Sequence, residues 1–137
     1  MDLTAPPDAE AATVGYLNTE LAALGDAARA STRVPNPRPA RFVRASLTGT
    51  TPRSIAHTDA QVTIECWDTD SAAAAELARL VYALMCAMDT PDGHVPQGPD
   101  GWVGGPVYLE DPTAGEPRYV MTPIVRARVQ TLTGGTP

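Results

Sequence analysis

Few side chains in this sequence stand at spacings that could do chemistry, and Asp68 and Asp70 form the closest carboxylate pair in its most patterned region. Two such acids could share general acid/base work. They also stand directly before Ser71 and a long run of helix formers, where a helix start needs side-chain acceptors, and capping is the role expected of both. His57 and His94 fall in loop-like stretches with no cysteine or second histidine at metal-site spacing, so no metal is expected. Ser31, Ser46, Ser54 and Ser71 lack the strand-turn-helix context of an activated nucleophile. Gly98, Gly101, Gly104 and Gly105 follow no strand and open no helix, so they make no phosphate cradle. The expected chemistry is therefore packing and contact, with no catalytic residue and no cofactor.

Charge carries more information. The net charge of −6 and pI near 4.7 conceal four blocks. Residues 1–30 hold Asp2, Asp8, Glu10, Glu20 and Asp26 against Arg29, and residues 31–58 hold Arg33, Arg38, Arg41, Arg44 and Arg53 with no acid. Residues 59–116 hold eleven acids against Arg79, and residues 117–137 hold Arg118, Arg126 and Arg128 alone. Two readings follow: neighbouring strands pair their opposite charges inside the chain, or two oppositely charged faces meet between copies. An acidic chain with no recognised nucleic-acid module is not expected to read DNA. All ten basic residues are arginine, which favours planar, multi-donor contacts with carboxylates.

The elements that must position these groups centre on Gln61–Met88. Val62, Ile64 and Cys66 alternate with Gln61, Thr63 and Glu65 as in a half-buried strand, and Leu77, Leu80, Val81, Leu84 and Met88 form a helical stripe after Ser71. Cys66 and Cys86 read as two buried thiols. A first helix is expected over Ala9–Leu24, with Val14, Leu17, Leu21 and Leu24 on its apolar side and Gly25 as its stop. Ser31–Val34 reads as a short strand, and Pro35–Ala40 as a stiff connector. Arg41–Thr48 reads as a strand with Val43, Ala45 and Leu47 inward and Phe42 exposed or at an interface. Gly49–Asp59 reads as a projecting hairpin connection, and Asp89–Gly105 as a long loop. Val107–Asp111 and Arg118–Thr131 read as strands around a turn at Pro112–Pro117, with Pro123 marking an edge or a bulge.

The whole is one 137-residue α+β domain. Its mainly antiparallel sheet has about four or five strands and two helices on one face, in the order α-β-β-β-α-β-β. Residues 1–8 and 132–137 are expected to be flexible ends. No run approaches the length of a membrane span, and the acidic, proline-bearing start is unlike a secretion signal, so a cytosolic setting is expected. Trp102, Tyr108 and Tyr119 are candidate interface anchors, since aromatic side chains concentrate at contact centres.

The run Ser31-Thr-Arg-Val-Pro-Asn-Pro-Arg-Pro-Ala-Arg-Phe-Val-Arg44 resembles the tail terminator proteins of long-tailed, siphovirus-type actinobacteriophages. The segment Val62–Trp67 running into Leu77-Ala78-Arg79, and the hairpin Tyr108–Tyr119, are similar to the same family. The resemblance implies a non-catalytic virion protein, assembled in the host cytoplasm, whose hexameric ring caps the head-proximal end of the tail tube. Its implied partners are copies of itself, the tail tube protein and a head-completion or neck protein, with DNA passing through the lumen unread. Arg38, Arg41, Phe42, Arg44, Trp102, Tyr108, Arg118 and Tyr119 are the candidate interface residues, and the first three arginines are expected to meet acids of a neighbouring copy. Two alternatives stand beside this reading. One is another neck or head-tail joining protein; the other is a small ligand-binding or enzymatic α+β domain, its pocket under the 89–105 loop and lined by Trp102 and Asp68.

Overall fold

Alternation of apolar and polar residues makes the strand His57–Trp67 the middle of the molecule, and a computed structural model describes the chain over residues 2–96 and 104–133. In chain order the elements are β1 (Asp2–Ala5), α1 (Ala9–Ala23), β2 (Ala30–Ser31), β3 (Phe42–Pro52), β4 (His57–Trp67) and α2 (Ser71–Cys86). After them come β5 (Val95–Pro96), β6 (Val107–Tyr108), β7 (Arg118–Met121), β8 (Ile124–Arg128) and β9 (Gln130–Thr133). The fold is α+β, as the sequence implies. Its main sheet has seven strands among the described residues, more than the four or five expected. It runs β2-β3-β4-β7-β6, with β8 continuing beside β4 and β5 outside β8. Every pairing is antiparallel except that of β2 with β3.

Both helices contribute to the core on one face of this sheet. Val43 and Ala45 of β3, Val62, Ile64 and Cys66 of β4, and Met121 and Val125 of β7 and β8 meet Leu17 and Leu21 of α1 and Leu77, Ala78, Val81 and Met85 of α2. The α2 stripe is therefore shifted from the one expected. Leu77, Val81 and Met88 are buried, Leu80 and Leu84 are half-buried at its side, and Ala74, Ala78 and Met85 complete it. Small alanines let the helix approach the sheet closely, so they are buried although their hydrophobic signal is weak.

The helix ends follow local chemistry. The Asp8 carboxylate accepts from Ala11 N at 3.0 Å and caps α1, and Asp70 accepts from Ala73 N at 2.8 Å and caps α2. At the end of α1, Gly25 has φ +73, Gly25 N donates to Ala22 O and Asp26 N donates to Leu21 O, a Schellman turn. Leu24 is the C-cap of that turn and is 58% exposed, contrary to its expected place in the apolar stripe.

Several other expectations are corrected. Asp2–Ala5, expected to fray, pairs with Gln130–Thr133 as a two-stranded ribbon. The hairpin connection expected over Gly49–Asp59 is mostly strand. Its turn is confined to residues 53–56, where Arg53 N and Ser54 N both donate to His57 O. Leu47 keeps the face of Val43 and Ala45, opposite Val62, yet is 43% exposed rather than buried, and the register shifts just after it, between Leu47 and Gly49. Val107–Asp111 is paired as strand only at Val107–Tyr108, and Val95–Pro96 forms a short strand within the expected 89–105 loop. Pro123 marks a bulge and not an edge: the strands on either side of it both pair with β4, and its carbonyl accepts from Val62 N at 3.1 Å. Cys86 is exposed; only Cys66 is a buried thiol, and burial pushes its pKa up.

Gly105 supports this sheet in a way no side chain could. With φ +89, a Cβ there would lie 2.4 Å from the Val120 carbonyl oxygen and 2.6 Å from Met121 Cα. For the core itself, Leu77→Ala is expected to lower unfolding stability by about 2–5 kcal/mol. Leu24→Ala should stay within about 0.5 kcal/mol, both read by chemical denaturation. Equal losses from the two would contradict this division of α1 and α2 into buried and exposed leucines.

Candidate interaction surface

The other face of the sheet is where most of the candidate residues gather. Alternation on β4 places Asp59, Gln61, Thr63, Glu65 and Trp67 away from the helices, and the register sets Phe42 opposite Trp67 and Arg44 opposite Glu65. Phe42 does point outward, as the alternation requires, yet it is 1% exposed and not a surface residue. Its ring stacks on Trp67 with centroids 4.6 Å apart and planes 10° from parallel. The Arg38 guanidinium lies over both rings, 5.1 Å from Phe42 and 5.4 Å from Trp67, and Arg118 sits 5.8 Å from Trp67 on the same ring. The proline-rich run therefore works as a strap that brings Arg38 back over the aromatic pair.

Hydrogen bonds fix this end further. The Asp111 carboxylate accepts from Trp67 Nε1 at 3.2 Å, from Thr113 N at 2.9 Å and from Ala114 N at 3.2 Å, and it pairs with Arg38 at 3.3 Å. Those backbone donors, then the indole and the guanidinium, hold its carboxyl below the usual range. Arg38 also pairs with Glu116 at 3.0 Å. One carboxylate thus ties the 112–117 turn, the central strand and the proline strap together.

Two further knots lie along β4. Glu65 is buried and bridged by Arg44 at 3.1 Å and Arg118 at 2.9 Å. Asp59 is buried and bridged by Arg126 at 2.8 Å and Arg53 at 3.1 Å. Between them, Thr48, Gln61 and Thr63 join through the Thr48 hydroxyl, at 2.9 Å to Thr63 Oγ1 and 3.2 Å from Gln61 Nε2. Hydrogen bonding to Asp59 raises the Arg126 pKa.

Arg41 stands apart from this face. It reaches between the end of α1 and the start of α2, donating to Asp26 at 2.8 and 3.0 Å, to Asp68 at 2.9 Å and to the Ala73 carbonyl at 3.3 Å. Its hydrogen bonds lower the Asp26 pKa, and those same contacts raise its own. Asp68 is thereby corrected: it is an arginine partner that also accepts from Thr69 N, and Asp70 alone caps α2. Arg38, Arg41, Arg44 and Arg118 all find acids within the chain, so the pairing of charge blocks inside the molecule is what the side chains display.

Tyr108 and Tyr119 meet edge to face, 5.4 Å apart at 71°; Tyr119 packs against the core and Tyr108 is 46% exposed. Trp102 lies outside the described residues. Asp68 lines a shallow cleft with Arg38, Pro39, Ala40, Thr69 and Glu116, and not the larger groove of about 570 Å³ between α1 and residues 89–92. Beside that groove, Asp92 accepts from the Thr90 hydroxyl and contacts His94 Nδ1 at 3.0 Å, contacts that lower its pKa. Sequence reasoning missed Trp67, Glu65, Asp59 and Asp111 as members of the arginine network. The one signal available was the pairing of opposite charge blocks within the chain, which names no partners. Among the described residues no group of three or more metal-ligating side chains comes together.

Compared with protein-family models, curated proteins and solved structures, the chain matches none of them.

Two outcomes check this geometry. Asp111→Ala should cost about 1–3 kcal/mol, because it leaves the buried Trp67 N–H without its acceptor, while Asp111→Asn, which keeps an acceptor oxygen, should cost less. Because the native Asp111 and Asp26 pKa values are depressed, their contribution is fully present above the unfolded carboxylate pKa of about 4. It is lost as pH falls through the lower native values. Denaturation midpoints measured from pH 7 to pH 2 should therefore fall less steeply in an Asp26→Asn, Asp111→Asn double variant than in the parent.

Proposed function

We propose that the chain is a ring-forming virion protein that caps the head-proximal end of the tail tube of a long-tailed actinobacteriophage. In this role it ends tube polymerisation and joins the tail to a head-completion or neck protein. Six copies form the ring, the lumen passes DNA without reading it, and the role is assembly rather than catalysis.

The observation that carries the reading is the way the fold uses the run at residues 31–44, which also carries the resemblance to tail terminators. Its Arg38, Arg41, Phe42 and Arg44 are each engaged in the framework: the strap over Trp67, the link between the helices, and the bridge to Glu65. A run of that composition is thus explained by one architecture, an α+β fold with two helices over one face of a mostly antiparallel sheet, which is the fold class that the resemblance implies. Rigid arginine links suit a part that must keep its shape while partners dock on both sides. The paired arginines also mean that partner contacts fall to groups left exposed, above all Tyr108 and its neighbours.

The test is made on particles. Virions assembled without this protein should carry tubes of unregulated length, and density for six copies should sit at the head-proximal tube end in complete particles. Uniform, capped tails in its absence would overturn the proposal. Density on the portal side of the joint would assign the chain to the neck instead.

A further inference from the structure

Among the described residues, two stretches of sheet edge, along β6 and along β3 beyond β2, are unlike the edges that soluble proteins usually leave open. An open edge presents unpaired N–H and C=O groups, and proteins blunt it with charged side chains, inward-pointing charges or a covering element. On β6, Leu109 N donates to Arg118 O, so by strand alternation the N–H and C=O of Tyr108 turn away from β7. The side chains there are Val107, Tyr108 and Leu109, 55%, 46% and 52% exposed: three consecutive apolar residues in water. On β3, Arg53 N donates to His57 O and Thr51 pairs with Asp59, so the N–H and C=O of Thr50 turn away from β4. This edge reads Leu47-Thr-Gly-Thr-Thr51, with no charged residue of its own and an exposed leucine at its start, whose N–H donates to the Glu10 carboxylate at 2.8 Å. β2 covers β3 only at Val43 and Arg44.

The two edges lie on opposite sides of one sheet, and different charged groups stand beside them, most of them already paired within the chain. Arg44 and Arg53, whose side chains are 37% and 51% exposed, flank the β3 edge. Glu110 and Glu116, the latter 40% exposed, flank the β6 hairpin. We propose that the β6 edge of one copy adds to the β3 edge of the next, continuing the sheet from subunit to subunit through backbone hydrogen bonds. Strand addition supplies the register, and the Val107-Tyr108-Leu109 run supplies buried area. The exposed Glu110 and Glu116 beside the β6 hairpin disfavour the pairing of two β6 edges. Because the two edges differ, the contact is head-to-tail and closes into a ring once rotation between copies is accumulated. This inference rests on the reading that copies of the chain assemble with one another.

Light scattering coupled to size exclusion tests it. The parent chain should run as a ring. Thr50→Pro and Tyr108→Pro each remove one outward N–H, so each should run as a monomer with an unchanged circular dichroism spectrum. An equimolar mixture of the two should give a 1:1 dimer and nothing larger, since each variant keeps one working edge. Should a proline variant fail to fold, Leu109→Arg at its exposed site replaces apolar contact area with a charge that would have to be desolvated. That change should raise the midpoint concentration of assembly at least about tenfold. Rings of parental mass from Leu109→Arg and from the folded proline variants would overturn edge pairing alone. A parent chain that stays monomeric to its solubility limit would overturn self-assembly, and edge pairing with it.

Discussion

Burying carboxylates on the central strand is the constraint from which much of this molecule follows. Asp59 and Glu65 are almost fully withdrawn from water on β4, and a carboxylate in that position is tolerated only with close, hydrogen-bonded cations. Each has two arginines, one from either side of β4: Arg44 of β3 and Arg118 of β7 for Glu65, and the turn residue Arg53 and Arg126 of β8 for Asp59. The sheet is thereby stitched across its width by side chains as well as by its ladder. Losing one guanidinium would leave a buried charge half-compensated, so the geometry of β3, β7 and β8 around β4 is specified by more than apolar burial.

The same logic gives the sheet two covered faces from a chain with only two helices. On one side the helices do the work, with alanines 74 and 78 allowing close approach. On the other, a layer of arginine over aromatic rings takes their place: Arg38 above Phe42 and Trp67, anchored by Asp111 and Glu116. Guanidinium groups suit this position because they stack on rings through a weakly hydrated face while their edges still bond carboxylates. The absence of lysine from the sequence fits that use.

With many of the arginines paired inside the chain, the sheet edges along β6 and the far end of β3 are apolar or uncharged rather than ionic. Val107, Tyr108 and Leu109 form a consecutive exposed apolar run, whereas the other exposed apolar residues, such as Leu24 and Ile55, are scattered along the chain.

Much of the local structure was legible in the sequence, because it depends on contacts between near neighbours. The period-2 pattern of Gln61–Trp67, the start of α2 after Asp70 and the glycine stop of α1 are set by backbone sterics and by caps within four residues. Pro123 announced a break in its strand for the same reason. What the sequence left open were matters of distance: whether opposite charges paired within the chain, and which with which. Phe42 illustrates the difference. Its outward direction follows from alternation, but its burial depends on Arg38 folding back over it and on Trp67 arriving from another strand. Asp68 is the same case in charge: its spacing suits a helix cap, and only the approach of Arg41 from β3's start makes it an ion-pair partner. Sequence alone determined directions and caps, since those are local; the tertiary structure decided burial and partnership, since those depend on which strands lie side by side.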